Sequence, residues 1–248
     1  MNMKESLTQH LLKQGLGDIS ETLAQIVMEQ VLPWKDEEPG KSEDARAIIA
    51  FSFGFRFEPN GNRKPGPVNK QLADLVSEYY NKQARPVYAQ WEIAEALAGR
   101  VSKNHLHTIY PKIGKKTGNV EYLSAVDVLD DAIDEGLNPD DSNLNPVLVI
   151  AHRYHLVRYA RLVKDSGFTV VTAPDMPSAC DPESGQSWTA DEVVNIVTEI
   201  ISRLSAYRKE YVEDMEDGLE TAHTYRTSGI EGFISYDDYL QRKLHVEQ

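Results

Sequence analysis

His152, Arg153, His155 and Arg158 place two imidazoles and two guanidiniums within the segment AHRYHLVR. Such a group suits an anionic ligand for three reasons. A guanidinium grips a phosphate or carboxylate through two parallel hydrogen bonds, a helix start offers backbone N–H groups without partners, and an imidazole donates or transfers a proton near neutral pH. His155 and Arg158 are three positions apart and share a face if the segment is helical. The same spacing fits an architectural arrangement, in which Arg158 pairs with the protein's own acids and His155 caps the helix. A metal centre is not expected, because H-R-Y-H has no carboxylates at short spacing beside it.

The elements that would position this group lie on either side of it. In PVLVIAHRYHLVRYARLVKDSGFTVVTAP, residues 146–174, an apolar run precedes the cluster, an amphipathic stretch carries it to Gly167, and a second apolar run follows. That order predicts a βαβ unit with the cluster at the carboxyl end of its first strand, where open parallel sheets bind their ligands. Upstream, RAIIAFSF reads as a strand buried on both faces, followed by the irregular loop GFRFEPNGNRKPGP and a helix from Val68. Ser52, Gly54 and Arg56 would then face the same crevice. PVYAQ predicts another strand ending at Gln90, with a helix over 91–98 and Glu92 in its first turn. A carboxylate there either stabilises the helix dipole or serves as an acceptor or acid/base in the crevice. HLHTIY predicts a further strand, Asn119 the cap of a helix running to Ile133, and Thr189 with Glu192 the cap of a helix running to Leu204.

Strands alternating with helices predict an α/β fold, a three-layer αβα sandwich with a mainly parallel sheet, over residues 46–206. A helical extension over 1–45 and a carboxy-terminal extension over 207–248 that packs on the core complete the expected organisation. Hydrophobic residues make up 41% of the 248 and charged residues 26%, as in soluble globular chains. The net charge of −13 argues against general affinity for nucleic acid or anionic lipid. Absence of an apolar run near 20 residues, and of a signal-peptide pattern, predicts a cytoplasmic protein. Cys180 is the single cysteine, which excludes an intrachain disulfide; nothing beside it in sequence would activate it as a nucleophile.

Around these residues the chain resembles the YdcF-like and SanA-like family, a domain of unknown function. The resemblance is carried by IAHRYHLVRYARLVKDSGFTVV, similar to the family's strand, H-x-x-R-A and glycine signature. AIIAFSFGF looks like its Gly-Gly strand end, and YAQWEIAEA like its S-G-G…E-A element, with Glu92 at the acidic position. Gln90 and Trp91 stand where that element has glycines, and Thr117 and Asn119 are approximate counterparts of its N-T-x-x-N. The resemblance spans about residues 46–175 and implies an αβα fold with a polar crevice at the strand carboxyl ends.

Two functions follow as expectations. One is binding of a small anionic or nucleotide-like ligand, S-adenosylmethionine among the candidates, by Ser52, Gly54, Arg56, Gln90, His152, Arg153 and Arg158. If the protein is an enzyme, a hydrolase or transferase, His155 and Glu92 are the expected acid/base pair. The other is a non-catalytic interaction protein that forms homo-oligomers through its terminal extensions.

Overall fold

Ala47–Ala50, the sequence AIIA, forms strand β1, and every one of its residues is buried. The computed structural model describes residues 41–113, 120–121 and 123–205, with positions 9, 21 and 25 in addition. Residues 41–200 belong to one compact unit, Leu32–Ile200, while residues 201–205 fall in a second. The terminal extensions expected over 1–45 and 207–248, and the positions Thr117 and Asn119, lie almost wholly outside the described residues.

β1 has a parallel neighbour on each side. Ile48, Ile49 and Ala50 pair with Val87, Tyr88 and Ala89 of β2 (Val87–Gln90), and with Leu148, Val149 and Ile150 of β4 (Val147–Ile150). β3 (Leu106–Ile109) adds outside β2 and β5 (Val170–Thr172) outside β4, all parallel, giving the order β3-β2-β1-β4-β5. A strand covered on both faces has no room for alternation, which is why β1 and β4 are continuous apolar runs. Ile48, Ile49, Leu148 and Ile150 lose all solvent contact, and each contributes about 1.5–3 kcal/mol by leaving water.

Helices fill the crossovers. α1 (Pro67–Lys82) connects β1 to β2 and packs against α2 (Trp91–Ala96), while α3 (Ala125–Asp134) packs against α4 (Arg153–Asp165). The chain is an α/β sandwich with a parallel sheet at its centre. α5 (Ser187–Ala190) and α6, residues 192–200 of a longer helical run, follow the last strand. Among the described residues no helix is long and apolar enough to cross a membrane.

Three boundaries differ from the sequence expectation. α3 begins at Ala125, not after Asn119, because Ser124 and Asp127 close a reciprocal capping box. Val120–Glu121 instead pairs with Lys112–Ile113 as a short ribbon. α6 is capped by Asp191, whose carboxylate accepts from Val194 N at 3.0 Å; Thr189 sits in the preceding short helix and bonds back to Gln186 O. α2 stops at Ala96, two residues earlier than expected.

The loop leaving β1 is fixed by a buried amide. Asn69 of α1 accepts from Phe53 N at 2.8 Å and donates to Gly54 O at 2.7 Å, and it is wholly inaccessible to solvent. Removing it orphans one buried donor and one buried acceptor, each worth about 1–3 kcal/mol. Asn69→Ala is expected to lower unfolding free energy by about 2–4 kcal/mol in urea titration, whereas the exposed neighbour change Lys70→Ala stays within about 0.5 kcal/mol.

Candidate functional site

The strand order runs outward in opposite directions from β1 and β4, so the crossovers on the two sides diverge between their carboxyl ends. That is the switch point at which doubly wound sheets open a crevice for ligands. Residues 51–57 leave β1 there, and His152 leaves β4. Ser52 and Gln90 meet directly: the Gln90 side chain accepts from Ser52 N at 2.7 Å. Gly54 turns the loop at φ +69°, and a Cβ on it would come within 2.5 Å of the Thr189 hydroxyl and 2.6 Å of the Ser184 hydroxyl. Glycine is therefore required twice over, by conformation and by space.

His152 is the first residue past the β4 exit loop to enter α4, as its N-cap, and is 1% exposed. Its ring lies flat on Phe53, with centroids 3.7 Å apart and planes 6° from parallel. Nε2 is 3.2 Å from Ala179 O, and since a carbonyl only accepts, the proton resides on Nε2. Nδ1 is thus an acceptor, and it has no partner. Burial pushes the pKa of His152 down to about 4, against the raising effect of the Ala179 and Ser178 carbonyls, so the ring is neutral at physiological pH.

His155 stands edge-on to Phe53 at 5.5 Å, and Trp188 does the same at 5.7 Å. Asn195 of α6 orders this corner. Its Nδ2 donates to Trp188 O at 3.2 Å, an assignment that holds because an amide oxygen there would face a carbonyl. The same Nδ2 lies 3.1 Å from His155 Nε2, while His155 Nδ1 lies 3.2 Å from Tyr159 Oη and 3.3 Å from Arg158 Nη2, which can only donate. Asn195 Oδ1 is buried without a partner.

Arg158 and Arg56 are matched to carboxylates. Arg158 reaches Glu199, which is fully buried, with Nε 3.0 Å from both carboxylate oxygens and Nη2 2.9 Å from Oε2. Burial opposes the charge on Arg158, but Tyr159 and Glu199 outweigh it and hold its pKa above the ordinary value. Arg56 binds Asp181 through Nε at 2.7 Å and Nη2 at 2.5 Å, and Glu183 through Nη1 at 2.6 Å. The hydrogen bonds from Arg56 hold the Asp181 carboxyl below the usual carboxylate range, against its burial. Arg153 opens α4 half-buried, and its backbone N–H goes to Pro177 O at 2.8 Å.

His152, His155 and Arg158 are thus brought into one corner with Phe53, Trp188, Asn195 and Glu199. Glu92 is buried in the first turn of α2, at the end of β2, and so lies on the far side of β1 from His155. Two strand spacings, about 10 Å, separate β2 from β4. Trp91 beside it keeps a buried indole N–H without a partner. Sequence reasoning missed Phe53, Asn69, Asp181, Asn195 and Glu199. Only the Asp191 and Ser124 caps had a local signal that would have found them.

No family model, curated protein or solved structure matches the chain.

The arrangement has two measurable consequences. Arg158→Ala takes its bidentate partner from the buried Glu199 carboxylate and is expected to destabilise the protein by about 3–5 kcal/mol, whereas Arg158→Met combined with Glu199→Leu loses less than Arg158→Ala alone. Urea unfolding of Arg158→Ala and of the double variant, each against wild type, checks the comparison. The second concerns acid. His152 protonates near 6.5 in the unfolded chain but only near 4 when folded, so the unfolded state takes up the proton first. Stability therefore falls as pH drops from about 6.5 to 4, by on the order of 3 kcal/mol. His152→Gln is expected to flatten that part of the profile when urea unfolding at pH 7 and pH 4.5 is compared with wild type.

Proposed function

We propose that the protein is a YdcF-like binder of a small nucleotide-like or anionic ligand, held at the carboxyl edge of its parallel sheet between β1 and β4. The observation that carries this reading is the strand order β3-β2-β1-β4-β5, which puts the polar junction of β4 and α4 at the switch point. The H-x-x-R pair His155 and Arg158 falls at that junction, in keeping with the family resemblance. The anionic part of a ligand is assigned to Arg153, half-buried at the first position of α4. Binding is favoured over catalysis, because both ring nitrogens of His155 already face Asn195 and Tyr159. An acid/base role for His155 with Glu92 would need that corner to rearrange.

A second reading, a non-catalytic interaction protein, draws support from Val193, Val194 and Val197, which are exposed on α6. One experiment separates the two. Thermal unfolding is followed with AMP, ATP, glucose 6-phosphate and S-adenosylmethionine, alongside size-exclusion chromatography of the free protein. A ligand at a hundredfold excess over its Kd stabilises by about 2.7 kcal/mol. A clear rise in Tm with at least one of these compounds, and a smaller rise in Arg153→Ala measured against that variant's own ligand-free Tm, is the expected result. No rise with any of the four, together with a stable dimer, would replace the binding reading with the second.

A further inference from the structure

The segment from Pro177 to Gly185, between β5 and α5, touches both chain exits at the switch point. On the β1 side, Gly185 N donates to Phe55 O at 2.7 Å, Ser184 Oγ donates to the same oxygen at 3.3 Å, and Asp181 and Glu183 both bind Arg56. On the β4 side, Arg153 N donates to Pro177 O at 2.8 Å and His152 Nε2 lies 3.2 Å from Ala179 O. The segment is therefore a strap tied to both exits, across the place where a doubly wound sheet receives its ligand.

What the strap presents to each exit is what an anion would present. Asp181 meets Arg56 through Nε at 2.7 Å and Nη2 at 2.5 Å, the bidentate geometry by which a guanidinium also holds a phosphate, and Glu183 takes Nη1 at 2.6 Å. Two carboxylates are more than one guanidinium needs for charge balance. Together they match the charge of a phosphate monoester, about −1.5 to −2 near neutral pH. At the other exit, Pro177 O accepts from the first N–H of α4, the kind of donor that phosphate oxygens take at helix starts. The Arg56 side chain is 31% exposed and that of Glu183 73%, so dissolved anions reach this ion pair and compete for it.

We propose that residues 177–185 are an autoinhibitory strap, in which Asp181 and Glu183 occupy Arg56 in place of the phosphate group of a ligand. The proposal rests on the small-ligand reading above and adds the ligand's class, a phosphate monoester, and the groups that hold it off. A phosphate arriving at Arg56 replaces both carboxylates with little change in local charge. The strap, released there, gives up its bond to Arg153 N and uncovers the start of α4.

Calorimetric titration of the full chain with AMP, and with adenosine as the phosphate-free control, tests the strap. Glu183→Gln removes one competing charge at an exposed position and is expected to tighten AMP about two- to fivefold, the scale of one exposed ion pair. Asp181→Asn removes the bidentate carboxylate and is expected to tighten AMP at least tenfold, while adenosine binds both variants as it binds wild type. Asp74→Asn takes a carboxylate from the exposed Arg100 pair, and as the control for general charge it is expected to leave AMP unchanged. Amide hydrogen exchange across 178–185 is expected to quicken on saturation with AMP, the reverse of ordinary protection by a ligand. AMP affinity that is unchanged or weaker in Glu183→Gln overturns the strap, even where Asp181→Asn fails to fold, and so does an equal gain in Asp74→Asn. If wild type binds AMP or S-adenosylmethionine and the two strap variants gain nothing, the small-ligand reading stands and the strap falls. If neither wild type nor either variant binds any of these compounds, both fall.

Discussion

A parallel sheet must return its chain across a face after every strand, and the loop leaving a central strand is the one that cannot be left to solvent. β1 has strands on both sides and helices on both faces, so Phe51, Phe53 and Phe55 beyond it are buried while their backbone still needs partners. The Asn69 carboxamide meets that need at Phe53 N and Gly54 O, and Gln90 does so at Ser52 N. Once this loop is pinned, Phe53 presents a fixed aromatic face. His152 stacks on it, His155 and Trp188 meet it edge-on, and Asn195 ties those two together. The corner at the sheet edge is thus built outward from a single amide on α1.

Polar groups in this corner are arranged with unequal completeness. The Arg158–Glu199 pair is bidentate, with its carboxylate fully buried and its guanidinium partly so, an arrangement that is costly to break from one side and contributes little net stability when intact. Arg56 with Asp181 and Glu183 is its more exposed counterpart, joining the ribbon after β1 to the segment after β5. Against these closed pairs, His152 Nδ1 and Asn195 Oδ1 stand open. A folded protein tolerates such openings at a cost of about 1–3 kcal/mol each.

Much of this architecture was legible before any coordinates. The buried strands announce themselves as apolar runs, AIIA and VLVI, because burial on both faces removes alternation, and the His/Arg cluster falls at the carboxyl end of β4 as βαβ geometry demands. The Ser124–Asp127 box was readable too, since its signal is local, but Asn119 offered an equally plausible cap five residues earlier. Partners were another matter. Glu199 lies 41 positions from Arg158 and Asp181 125 positions from Arg56, and no periodicity links residues so far apart. Asn69 was invisible for the same reason: within α1 it is one polar residue among many, and only the approach of the loop makes it structural.

The counter-charges of both arginines come from residues beyond the last strand. Arg56 and Arg158 are made early and in mid-chain, but Asp181, Glu183 and Glu199 follow β5, as do Ala179, Trp188 and Asn195 around the two histidines. During synthesis from the amino terminus, all five strands are therefore available before any of these partners emerges. The sheet can assemble while its carboxyl edge still carries unpaired guanidiniums in water, and the corner around Phe53 closes only when the segment from 177 to 199 arrives to cover it.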